Sequence, residues 1–202
     1  VAAGYVNNTA GTLVSQGELS LDLQGQQDGI ALNNNGGQII ATGALTLVTP
    51  YTVNNTAGQL LSEQQLHIQA GALNNSSGEI LAGSGLAVNL TAALDNSGGV
   101  LYTRQGDMTL TAQSLLNDAD GLILQHGTGQ MQLTLNALNN SGEIGAGTVL
   151  AVTAQQLTNS GLIQASTVEL AAEQLRNSGN LLGDNLFISA NQLNNTDGTI
   201  AA

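Results

Sequence analysis

The sequence predicts an all-β fold, a right-handed parallel β-helix (a solenoid) of about ten coils of 18–26 residues. Three observations predict it. A short unit recurs from one end of the chain to the other. Apolar and polar residues alternate within each unit. The composition supports a thin aliphatic core but not an ordinary globule.

The unit reads as an apolar residue, Asn-Asn or a close variant, a few small residues, a glycine and an aliphatic pair. It opens at Val6, Leu32, Val53, Leu73, Leu94, Leu116, Leu138, Leu157, Leu175 and Leu193, at spacings of 26, 21, 20, 21, 22, 22, 19, 18 and 18 residues. The array occupies residues 1–202 and reads as a single β-helical repeat domain, a fragment of a longer filament. Three columns hold through all units. A polar turn residue stands at Asn8, Asn34, Asn55, Asn75, Asn96, Asp118, Asn140, Asn159, Asn177 and Asn195, and a glycine follows two or three residues later. An aliphatic residue follows the glycine: Leu13, Ile39, Leu60, Ile80, Leu101, Ile123, Ile144, Ile163, Leu181 and Ile200.

A second apolar segment in each unit alternates with period two, as in Leu19-x-Leu21-x-Leu23, Leu86-x-Val88-x-Leu90 and Met131-x-Leu133-x-Leu135. That marks strands with one buried face. One unit cannot bury its apolar face alone, so stacked units give each strand parallel partners above and below. A coil of about 20 residues traces a perimeter near 65 Å, which suits a triangular section, and ten coils stacked at about 4.8 Å make a rod on the order of 45 Å long.

The Gly and Asn columns are assigned to corners, where both residues tolerate positive φ, and stacked Asn side chains are expected to bond their copies one coil away. Asp118 is expected to break this ladder. Small residues two positions past the aliphatic column (Ser15, Ala41, Ser62, Ala82, Ala146, Ala165) fit where walls converge; Gln125 departs from the rule and implies a local adjustment.

Hydrophobic residues are 42% of the chain, aromatics 2% and charged residues 8%, so the core is aliphatic and the solvated face is built from Asn, Gln, Ser and Thr. With no Lys and only Arg104 and Arg176, the net charge is -12, which repels nucleic acid and gives no attraction to anionic lipid. No nucleic-acid partner and no membrane insertion are expected. Cysteine is absent, which removes disulfides and thiolate metal sites. No apolar run reaches the roughly 18 residues of a span, and Val1 to Tyr5 do not resemble a signal peptide, so an export signal is expected outside this segment.

The Leu-Asn-Asn-Ser-Gly phrase in residues 138–146, with its variants Leu-Asn-Asn-Ser-Ser-Gly in 73–82 and Leu-Thr-Asn-Ser-Gly in 157–165, resembles the repeats of filamentous haemagglutinin. They also resemble those of contact-dependent growth inhibition exoproteins and related two-partner secretion proteins of Gram-negative bacteria. The resemblance covers essentially the full chain. It implies a right-handed parallel β-helix exported through an outer-membrane transporter and displayed at the cell surface. The partners it implies are neighbouring repeats of the same polypeptide, the two-partner secretion transporter during export, and a receptor on a target cell. The repeats form the shaft in such proteins, and nothing here resembles a secretion domain or a toxic nuclease.

No catalytic, cofactor-binding or metal site is assigned, and no cofactor is expected. The stretch Asn117-Asp118-Ala119-Asp120-Gly121 begins like a calcium loop but lacks the later ligands, so a turn is preferred. His67 alternates with Leu66 and Ile68 and should point outward; His126 lies in another coil. Isolated acids leave a polysaccharide-acting enzyme as a remote alternative. Triplets such as Asn7-Asn8-Thr9 and Asn54-Asn55-Thr56 read as products of the turn motif. Tyr5 and Tyr51 are assigned to corner packing.

Two irregularities stand out. The first coil carries an extra segment, residues 24–29, and Thr49-Pro50-Tyr51 interrupts the second. Loops bulging from a solenoid usually carry binding specificity. The tightening after Leu138 predicts a change of cross-section there. The leading reading is a stalk that projects an adhesive or toxin-delivery module; the alternative is a receptor-binding module acting through the irregular coils. Both end coils are expected to expose strand edges that neighbouring repeats would cover.

Overall fold

The computed structural model describes every residue except Ala119. The described residues form a parallel β-solenoid of about ten turns, without helix. Each coil contributes three runs of strand, stacked into three walls. Wall A runs through Leu19–Leu23, Leu45–Val48, Gln65–Ala70 and Gly85–Leu90; wall B through Ile30–Asn33, Thr52–Asn54, Ala72–Asn74 and Ala93–Asp95. Wall C is a separate ten-stranded sheet from Thr12–Ser15 to Thr199–Ala201.

From the fifth coil onward the runs of walls A and B fuse into single long strands: Met108–Asn117, Gln130–Asn140, Val149–Asn159, Thr167–Asn177 and Asn185–Asn194. The corner persists inside each as a break in alternation. In Gln130–Asn140, for example, Leu135 and Leu138 are both buried with two residues between them instead of one. The change of section therefore begins at Met108, earlier than the coil lengths suggest. The later shortening comes from the turns: the one leading out of wall C spans residues 126–129 in the sixth coil but only 147–148 in the seventh.

The aliphatic column stacks in register from Leu13 to Ile200, and its members from Ile39 to Leu181 are fully buried. The small column closes the corner behind it, with Ala41, Ser62 and Ala82 buried. Gln125 occupies that column fully buried, and its amide is satisfied locally. Nε2 donates to the carbonyls of Gly106 (3.0 Å) and His126 (2.6 Å), and Oε1 accepts from Gly147 N (3.3 Å). This is the adjustment expected there.

The register corrects one column. Leu94 pairs with Leu115, and Leu115 with Leu138, so the sixth unit opens at Leu115 and its turn residue is Asn117. Leu116 points outward and is 39% exposed. Asp118 does not break the ladder, because the burial phase of the strand places Asn117, not its neighbour, inside.

The ladder is continuous. In nine successive links from Asn8 to Asn195, each Nδ2 donates to the next coil's Oδ1 at 2.7–2.8 Å. Each interior Nδ2 also reaches two carbonyls; Asn34, for instance, donates to Gly37 O at 3.2 Å and Gln59 O at 3.1 Å. Among the described residues, every buried side-chain nitrogen and oxygen has a partner.

The glycine column has a different cause from the one expected. Positive φ falls mostly on the residue before it: Ala57 (50°), Ser77 (56°), Asp120 (66°). The column glycine is required by space. A Cβ on Gly58, Gly78 or Gly99 would lie 2.1 Å from the carbonyl oxygen of Asn34, Asn55 or Asn75 in the preceding coil. Any side chain there would force adjacent coils apart.

Candidate functional site

On so regular a rod, candidate surfaces are the departures from regularity, and the structure gathers them at two corners. The first is the corner between walls A and B in the first coils. Register sets Asp22 beside Val48, and Gln24 N donates to Ala3 O, so Tyr5, residues 24–29 and Pro50-Tyr51 follow one another up the same edge. The extra segment folds as a two-residue hairpin. Gln27 and Ile30 exchange backbone hydrogen bonds of 2.9 and 3.0 Å across Asp28 (φ 54°) and Gly29 (φ 84°), the Asp-Gly turn in which both central residues are left-handed. Its insertion costs the neighbouring strand a register shift between Ile30 and Leu32.

The corner is otherwise closely stacked. A Cβ on Gly71 would lie 2.5 Å from the Pro50 carbonyl oxygen, and one on Gly25 would lie 3.0 Å from Gly4. The hairpin, the exposed Pro50 ring and the Tyr51 side chain (36% exposed) therefore stand on a rigid footing. Thr49 is buried and belongs to the wall. The surface is polar, with the carboxylates of Asp22 and Asp28, the first accepting from Gln24 Nε2, and amides from Gln24, Gln26 and Gln27; it offers hydrogen bonding and an aromatic face, and no nucleophile–base pair. The sequence named each part of this corner but not their convergence.

The second corner was missed. Between walls C and A the turns of the fifth and sixth coils lengthen to residues 104–107 and 126–129, then shorten. The overhang leaves an open groove of about 530 Å³ on wall C, lined by Leu124, His126, Glu143, Gly145, Gln164 and Asp184 among others. His126 is exposed at its rim and meets Tyr102 edge-on, with ring centroids 5.3 Å apart at 70°. Gln164 Nε2 donates to Glu143 Oε1 at 2.8 Å. The signal in the sequence was the pair of Gly-rich stretches Arg104-Gln105-Gly106-Asp107 and His126-Gly127-Thr128-Gly129, which the Asn-turn alignment passed over.

The remaining candidates are dispersed. His67 points outward between buried Leu66 and Ile68, as expected. Arg104 is exposed in the turn between walls C and A, and Arg176 is exposed on wall B several coils away. In the calcium-like stretch Asn117 is buried in the ladder, Asp118 Oδ1 accepts from Ser141 Oγ at 2.6 Å, and Ala119 lies outside the described residues. Among the described residues no group of three or more His, Asp or Glu is placed to hold a metal ion.

The Asn-x-Thr/Ser triplets prove to be turn braces. Asn7 Oδ1 accepts from Thr9 N (3.1 Å) and Oγ1 (2.7 Å), and the same pair of bonds recurs at Asn54, Asn74 and Asn194. Asp95 does the same for Ser97, so an oxygen acceptor is all the turn needs.

The model of one protein family, described as the haemagglutinin repeat, matches residues 1–49, 52–98 and 104–198, nearly the whole chain. No curated protein and no solved structure matched the chain.

Proposed function

Since this chain belongs to the haemagglutinin-repeat family, we propose that it is a structural stalk of a secreted, surface-displayed bacterial adhesin or toxin-delivery protein. The family and the β-solenoid support a filamentous-haemagglutinin-like shaft; delivery of a contact-dependent inhibition toxin is the finer reading. In this reading residues 1–202 are one repeat domain of a longer filament, exported by an outer-membrane two-partner secretion transporter of a Gram-negative cell. Its constant neighbours are further repeats of the same polypeptide.

One observation carries the proposal. The buried Asn ladder crosses every coil without a gap, on the same pitch as the aliphatic column. Such a spine gives stiffness along the axis, and it leaves chemically reactive side chains scattered on the outside. The 202-residue chain, labelled and added to target cells, is expected to bind no more than a scrambled-surface control. Specific, saturable binding overturns the stalk reading.

A receptor-binding role is favoured by the convergence at the first corner. Replacing residues 26–29 by a minimal turn, and separately Pro50-Tyr51 by Gly-Ala, distinguishes the two. Under the stalk reading neither change alters adhesion of the full-length surface protein; a loss confined to these variants assigns binding to the corner.

A further inference from the structure

Among the described residues only two glycines belong to strands, Gly85 and Gly145, and neither is there for the reasons that place the column glycines. Neither adopts positive φ. A Cβ on Gly145 would meet only side chains, the nearest at 3.2 Å on Leu124 Cδ2, and one on Gly85 would come no closer than 3.5 Å, to the Asp107 carbonyl oxygen. The register runs through both positions without a bulge. A glycine that weakens a strand without easing its backbone marks a place where something else approaches closely. Each lies on the floor of a groove: Gly145 in the one of about 530 Å³ on wall C, and Gly85 in one of about 440 Å³ on wall A. The overhanging turns of residues 104–107 and 126–129 form the ridge between them.

The ridge is rigid. A Cβ on Gly106 would lie 2.0 Å from Ser84 O, and one on Gly129 1.9 Å from Gly106 O, so backbone rests on backbone. From beneath, the buried Gln125 amide holds the carbonyls of Gly106 and His126 and the backbone N of Gly147, tying both turns to the wall C groove. Both histidines of the chain and one of its two arginines gather at this corner. The two grooves repeat one set of groups: His67, Gln65 and Asp107 on wall A, and His126, Gln164 and Glu143 on wall C. In each set the carboxylate is held by one oxygen and leaves the other without a bond from the described residues. Asp107 Oδ1 accepts from Gln130 N at 2.9 Å, and Glu143 Oε1 from Gln164 Nε2 at 2.8 Å.

We infer that this corner is a binding site for a neutral, linear, polyhydroxylated chain, an oligosaccharide, which crosses the ridge and lays part of its length in each groove. The free carboxylate oxygens take hydroxyl protons, amide and imidazole both donate and accept, and Leu124 and Leu182 offer the C–H face of a sugar ring an apolar contact. A polyanion would meet a carboxylate in both grooves, on a rod of net charge -12. A polycation would meet Arg104 on the ridge. A peptide finds no free strand edge to extend, because the strands that floor both grooves are paired on each side. Open, rigid grooves of this kind give an affinity of about 1 mM. That is too weak for one corner to hold a cell, so the stalk reading is left intact.

Isothermal titration of the 202-residue chain with linear, neutral hexasaccharides of glucose, mannose, galactose and N-acetylglucosamine tests the inference. At least one is expected to bind at about 1 mM or tighter, and at least about tenfold more tightly than its own disaccharide, which reaches only one groove. Gly145→Leu fills the wall C groove and Gly85→Leu the wall A groove; each should lower hexasaccharide affinity about tenfold, to that of the disaccharide. Urea unfolding should find both as stable as the parent chain, since each adds a side chain at an outward strand position. His67→Ala and His126→Ala, which remove outward groups and fill nothing, should also weaken binding and keep the test open if a leucine variant misfolds. Three results overturn the inference: no binding of any of the four below about 20 mM, binding indifferent to all four variants, or heparin or a lysine-rich decapeptide binding in preference to the neutral chains. A hexasaccharide that binds no tighter than its disaccharide overturns the crossing of the ridge.

Discussion

Two adjacent asparagines in each turn have opposite duties, and one substitution separates them. Asn74 faces outward, where its oxygen braces Ser76 at 2.9 and 2.7 Å. Asn75 faces inward, fully buried, with Nδ2 donating to Asn96 and Oδ1 accepting from Asn55. Asn74→Asp keeps the acceptor, as Asp95 does naturally, and should change stability by no more than about 0.5 kcal/mol. Asn75→Asp replaces a donor by an acceptor and buries a charge, which should cost several kcal/mol at neutral pH. Urea unfolding of the two variants measures the difference, and equal effects would refute the ladder as a stabilising spine.

At the level of the turn, stereochemistry is divided between two neighbouring residues. Ser77 adopts φ 56° and donates its backbone N to Ser97 O, while Gly78 passes the Asn55 carbonyl of the coil before it. Ser77→Gly removes the left-handed cost of about 1–2 kcal/mol but adds unfolded-chain entropy, so it should be neutral or stabilising by up to about 1 kcal/mol. Gly78→Ala forces a Cβ to within 2.1 Å of backbone oxygen and should destabilise by at least about 1–3 kcal/mol. Thermal melts of both decide it; the reverse order would mean that the glycine serves φ after all.

For the whole rod, electrostatics oppose compaction. Fourteen carboxylates face two Arg and no Lys, so self-repulsion along the axis is screened rather than paired. Raising NaCl from about 10 to 150 mM shortens the Debye length from roughly 30 to 8 Å. The melting temperature should therefore rise by a few degrees. A melting temperature that falls with salt would show that ion pairs outweigh the repulsion.

By itself the sequence determined the solenoid, its inward aliphatic column and the corner anomaly at Gln125. Period-two alternation and a fixed repeat are properties of the chain alone. It also located residues 24–29 and Pro50-Tyr51 as exceptions. It did not decide between Leu115 and Leu116, because the inward phase resets at every corner and only pairing with Leu94 and Leu138 settles it. Nor did it reveal that the column glycines serve contact between coils instead of φ. The gathering of both irregular segments at one edge depends on the sum of turn lengths around each coil. A residue's neighbours on a rod lie one full coil away, and only the closed tertiary structure fixes which residues those are.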